Sequence, residues 1–91
     1  MKTADNSNAP AYAMNVGHIH LAVFENRSDS GRTWFNTQIV RRYRDKDNEW
    51  RDSGSFSGLG DLALVAEAIR LAQAYVVGRE NEGVVEESSG F

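Results

Sequence analysis

Hydrophobic and polar residues alternate with a period of two along three stretches of the chain, then give way to a helical run near its end. In Val16–Glu25, Ile19, Leu21 and Val23 share one face of a strand, while His18, His20, Ala22 and Phe24 share the other. The second strand, Thr33–Arg44, sets Phe35, Thr37, Ile39, Arg41 and Tyr43 against Trp34, Asn36, Gln38, Val40 and Arg42. In the third, Glu49–Ser57, the residues Trp50, Asp52, Gly54 and Phe56 oppose Arg51, Ser53 and Ser55, and which side faces inward stays open. Polar turns separate them: Arg27–Arg32, where Gly31 is free to take a positive φ, and Asp45–Asn48.

Ser57-Gly-Leu-Gly60 interrupts the alternation, and Asp61 is placed to cap the free amides of a first helical turn. Leu62–Val77 consists of strong helix formers, and Gly78 fits the left-handed residue just past a helix end. Residues 1–15 are rich in Ala, Asn and Ser and read as a flexible N-terminal arm; residues 79–91 read as an acidic flexible tail. The expected single domain is residues 16–78. Its helix is apolar around most of its circumference, which exceeds what one side of a three-stranded sheet can cover. A chain of 91 residues also builds only a small core. Both features predict a homodimer, with Leu64, Ala68, Leu71 and Tyr75 as the ridge that meets its symmetry mate.

Composition excludes more than it assigns. At 41% hydrophobic and 25% charged residues the chain is that of a globular domain. It holds no cysteine, so disulfides, thiolate metal sites and cysteine nucleophiles are excluded. It has neither an apolar run long enough to span a membrane nor the apolar stretch of a signal peptide, which predicts a cytoplasmic protein with no membrane partner. The net charge of −3 gathers in the tail, where Glu80, Glu82, Glu86 and Glu87 face only Arg79. The strand region is left slightly positive.

Candidates for catalysis are few, and the chain is read as non-catalytic, with no cofactor. His18 and His20 stand at i and i+2, a spacing that chelates a metal when further ligands arrive; without a third His or a Cys, surface histidines are the simpler reading, and no metal is expected. The serines near Gly60 form neither a nucleophile elbow nor a phosphate loop. The strand face opposite Ile19, Leu21, Val23, Phe35 and Ile39 says more. It collects His18, His20, Phe24, Trp34, Asn36, Gln38 and Arg42, and rings set among amides and a guanidinium suit a single-stranded nucleic acid. The plainer alternative packs Phe24 and Trp34 on each other as a cross-strand pair. Arg41–Arg44 is the densest positive run, answered at once by Asp45, Asp47 and Glu49.

The run Trp34-Phe-Asn36, then Arg41, Tyr43 and Asp45, Trp50-Arg-Asp-Ser53, Ser55-Phe56, Asp61-Leu62 and Leu64-Val65-Ala66 resembles small uncharacterised bacterial and phage proteins of strand-strand-strand-helix pattern. Their fold looks like the Whirly and transcriptional-coactivator class of single-stranded-DNA-binding domains. The resemblance implies four strands before one helix, and a dimer paired through helices that holds an unpaired DNA strand on its sheets. The fourth strand is expected from a break at Gly17 or Gly54, or from Ala11–Met14. The sequence therefore predicts an α+β domain, an antiparallel sheet of three or four strands followed by one C-terminal helix. As a homodimer it would bind single-stranded DNA or RNA, or alternatively act as a protein-interaction or assembly module.

Overall fold

A computed structural model describes residues 9–81. Four strands, β1 (Tyr12–Val16), β2 (Ile19–Arg27), β3 (Thr33–Arg44) and β4 (Trp50–Ser53), precede a single helix, α1 (Gly58–Asn81). The strands form one antiparallel sheet in the order β1-β2-β3-β4. This is the α+β arrangement expected, with four strands among the described residues.

The fourth strand comes from the segment read as an arm, close to the expected Ala11–Met14, and from the expected break at Gly17, not from Gly54. The predicted first strand breaks after Val16, where Gly17 takes a φ of 62°, a left-handed value open to glycine. Gly17 and His18 form a two-residue turn that sends β1 back along β2, with Tyr12 opposite Val23 and Val16 opposite Ile19. Ala11 extends this pairing by donating its N–H to Val23 O at 2.8 Å. The third predicted strand ends early, at Ser53, and Phe56 leaves the strand direction to pack against the core.

The helix departs from its predicted ends on both sides. It starts at Gly58, so Asp61 lies within the first turn and is not the N-cap. Its Oδ2 accepts the Ser57 N–H at 2.8 Å. Gly78 does not stop the helix, which runs on to Asn81. Arg79 holds the extra turn down by donating to Tyr75 Oη at 2.7 Å and pairing with Glu25 at 3.4 Å. The expected tail beyond Asn81, like residues 1–8 of the expected arm, lies outside the described residues.

The core lies between β2 and α1. Ile19, Leu21 and Val23 are fully buried, each contributing about 1.5–3 kcal/mol by leaving water. Ala68 and Ala72, one turn apart and also buried, let the helix axis approach β2 closely. Leu64, Leu71 and Tyr75 flank them against the same core. Tyr75 stacks on Tyr12 with ring centres 4.8 Å apart and meets Phe35 edge-on at 6.3 Å. The ridge Leu64, Ala68, Leu71 and Tyr75 is thus the sheet-facing side of α1 and not an outward dimer surface. Its spacing looks the same in sequence whichever neighbour it meets. The helix side left uncovered is a different one, carrying Leu59, Leu62, Ile69 and Val77.

Candidate functional site

Alternation along a strand fixes which residues share a face once one buried set is known. With Ile19, Leu21 and Val23 under the helix, the even-numbered residues of β2 and β3 point to the opposite side of the sheet. His20, Phe24, Trp34, Asn36, Gln38 and Arg42 therefore lie together on one outer face that α1 does not cover. Register adds Asn15 from β1, Asn26 from β2, Arg44 from β3, and Trp50 and Asp52 from β4.

His18 is the exception among the predicted residues. The turn at Gly17 takes it off the strand, so it no longer alternates with His20, and its Nε2 lies 2.6 Å from Asp61 Oδ1. Arg41 Nε stands 3.6 Å from the other oxygen of Asp61. The Ser57 N–H first, then the His18 ring, hold the Asp61 carboxyl below its ordinary value. His18 thus latches the β1–β2 turn to the start of α1. With the two histidines parted, the i, i+2 chelating pair does not exist. Among the described residues no three His, Cys, Asp or Glu side chains gather as a metal site would require.

On the outer face, His20 donates from Nδ1 to Asn15 Oδ1 at 2.7 Å. Burial, then the nearby Arg42 charge, depress the His20 pKa, with Asp52 opposing them. The ring is therefore neutral near pH 7 and keeps Nε2 as an acceptor. Arg42 Nε lies 3.3 Å from Asp52 Oδ1, both side chains remaining about half exposed. Arg44 lies over the Trp50 ring at 4.7 Å and donates to Asn48 Oδ1 at 2.7 Å. Trp34 is 40% and Trp50 63% exposed, so neither indole is spent on the core.

The cross-strand alternative for Phe24 and Trp34 meets a register constraint. Phe24 stands directly opposite Asn36, and Trp34 opposite Asn26, so the two rings are diagonal neighbours with an amide beside each. Asn26 Nδ2 is buried and has no hydrogen-bond partner among the described residues. Where β4 meets the β1–β2 turn, Asn15, His18, Arg42, Trp50, Arg51 and Asp52 line an open concavity of about 930 Å³. It continues the outer face past the sheet's end.

Asn15, Asn26, Arg44 and Trp50 join the face in addition to the residues expected there. Arg44 and Asn26 follow from parity alone, since they continue the alternation of Arg42 and Phe24. Trp50 needed the β3–β4 register, in which it stands opposite Arg44. Chemically, the face offers flat rings for stacking, amides for base edges, and two guanidinium groups able to meet phosphate. No protein-family model, curated protein or solved structure matches the chain.

Proposed function

We propose that this domain binds single-stranded nucleic acid on the outer face of its sheet, without catalysis, and does so as a homodimer. The observation that carries the reading is the gathering of Phe24, Trp34, Trp50, Asn36, Gln38, His20, Arg42 and Arg44 on the sheet face that α1 does not cover. Exposed indoles stack on bases of any sequence, amides read their edges, and guanidinium groups follow the backbone. The arrangement of four strands and one C-terminal helix is also that of the single-stranded-DNA-binding class the sequence resembles.

A labelled oligo-dT titration at two salt concentrations tests it. Micromolar or tighter binding is expected, weakening as salt rises because phosphate contacts displace counterions. Trp34→Ala should lose about 1–3 kcal/mol, roughly 5- to 150-fold in Kd, and leave the salt slope unchanged. Arg42→Ala should lower the slope by about 0.7, the share of one phosphate contact. The second reading is a polypeptide-binding module. It draws on the Arg42–Asp52 pair, which neutralises a cation on this face, and on the net charge of −3. It predicts no oligo-dT binding at low salt by folded protein.

A further inference from the structure

The outer edge of β3 is mostly unpaired. Its Thr33–Arg41 stretch pairs with β2 on one side, but on the other β4 reaches only Arg41–Arg44. Among the described residues, no strand pairs with this second edge from Thr33 to Val40. Arg42 donates its N–H to His18 O on the β2 side, so by alternation the backbone groups of Phe35, Thr37 and Ile39 point away from β2, into the gap. The stretch reads Thr-Trp-Phe-Asn-Thr-Gln-Ile-Val, with strong strand formers and no charge, proline or glycine. Monomeric proteins guard such edges with the very residues missing here.

The same side of the molecule is apolar below the sheet. Thr37 and Ile39 of β3, with Ile69, Gln73 and Val76 of α1, line a groove of about 510 Å³. Leu62 and Ile69, seven residues apart on the helix, are each about half exposed, at 51% and 50%.

We propose that a second copy of the chain pairs with this edge, β3 antiparallel to β3 about a two-fold axis midway between the two Thr37 residues. The chemistry of the edge singles out a copy of itself. A two-fold perpendicular to the sheet keeps outer residues on the outer face, so partners must share parity, and one residue faces its own mate across the axis. Centred on Thr37, Trp34 meets Val40, Phe35 meets Ile39, Asn36 meets Gln38 and Thr37 meets its own mate. Each is a favourable cross-strand match, and the groups aimed into the gap pair with one another. Centred on Asn36, the register would instead set Phe35 against Thr37 and Trp34 against Gln38. A strand pair this short buries less than the roughly 1,200–2,000 Å² of a stable interface, so the proposed dimer also draws on the adjoining groove and the exposed helix side.

The consequence for the site rests on the nucleic-acid reading. Pairing joins two four-stranded sheets into one, so Trp34, Asn36 and Gln38 of both copies line a single outer face that neither copy completes alone.

The test needs no nucleic acid. Sedimentation of the full chain should give a dimer at micromolar concentration, with the Phe35, Thr37 and Ile39 amides slow to exchange. Thr37→Lys, an exposed position, sets two ammonium groups on the axis and should give a folded monomer whose three amides exchange fast. Ile69→Glu should weaken the dimer at least tenfold with the fold retained. Since the chain has no other cysteine, Thr37→Cys should cross-link to its mate under mild oxidation, because paired Cα atoms about 5.5 Å apart lie within disulfide reach. A monomeric wild type overturns the proposal, whether the three amides exchange freely or are protected by the chain's own residues 82–91. A dimer that survives Thr37→Lys and yields no Thr37→Cys cross-link overturns it equally. A dimer that ignores oligo-dT would leave this pairing standing and remove the binding function; a monomer that binds oligo-dT would do the reverse.

Discussion

Replacing Gly17 by alanine should be among the costliest single-methyl additions to this domain, and two separable effects set the amount. The first is conformational: Gly17 holds a φ of 62°, where an L-residue costs about 1–2 kcal/mol. The second is steric, since an added Cβ would stand 3.2 Å from Leu64 Cδ1 and 3.7 Å from Cδ2. Leu64, partly buried against the core, must give by a few tenths of an ångström, and a shift off its rotamer costs about 0.5–1.5 kcal/mol. The sum, about 1.5–3.5 kcal/mol, corresponds to a fall in Tm of roughly 6–28 °C for a domain this small. Gly58 is the control: its φ of 70° carries the same conformational cost, but a Cβ there meets nothing within 4 Å. Urea unfolding followed by circular dichroism should therefore rank Gly17→Ala below Gly58→Ala by the steric part alone. That difference should vanish in a Leu64→Ala background. Equal losses at the two glycines, or a difference indifferent to Leu64, would refute the packing of the β1–β2 turn on α1.

Leu21→Ala should cost about 2–5 kcal/mol in the same assay, whereas Trp34→Ala should stay within about 1 kcal/mol; a large loss at Trp34 would place it in the core. Asp61 is held below its unfolded-state pKa, so its contribution is complete above the ordinary carboxylate range and fades as pH falls through the lower folded value. Asp61→Asn should accordingly lower Tm near neutrality and flatten its fall in acid, as a melting series across pH would read. His20 should titrate below the ordinary imidazole value in an NMR pH series, so that acidification through that range destabilises the fold, and Arg42→Ala should move its midpoint up.

The strands and the helix were legible where a periodic pattern is set by one buried side. Ile19, Leu21 and Val23 identified the core face of β2, and parity then assigned β3 in full. What the chain concealed depends on φ angles and distant partners. A break at Gly17 was one expected source of the fourth strand, but a glycine there also fits a continuous strand; its left-handed φ decides for the break and turns His18 away from His20. Likewise Gly78 looks like a helix stop until Arg79 is seen gripping Tyr75 and Glu25. The helix ridge illustrates a deeper ambiguity. Leu64, Ala68, Leu71 and Tyr75 have the spacing of a buried stripe, but spacing carries no information about whether the covering surface is the chain's own sheet or another copy. Trp50 joined the outer face only through the β3–β4 register, which no local pattern in β4 specifies.

Both tryptophans of the chain lie on the outer face, which makes their indole N–H signals direct reporters of whatever binds there. The most direct measurement is an NMR titration of isotopically labelled protein with oligo-dT at low salt. The indole signals of Trp34 and Trp50 and the side-chain amides of Asn36 and Gln38 should shift together in one saturable transition. The amides along α1 from Ala66 to Ala74 should remain in place. A folded protein whose outer-face signals do not move, or whose shifts fall on the helix instead, would contradict it.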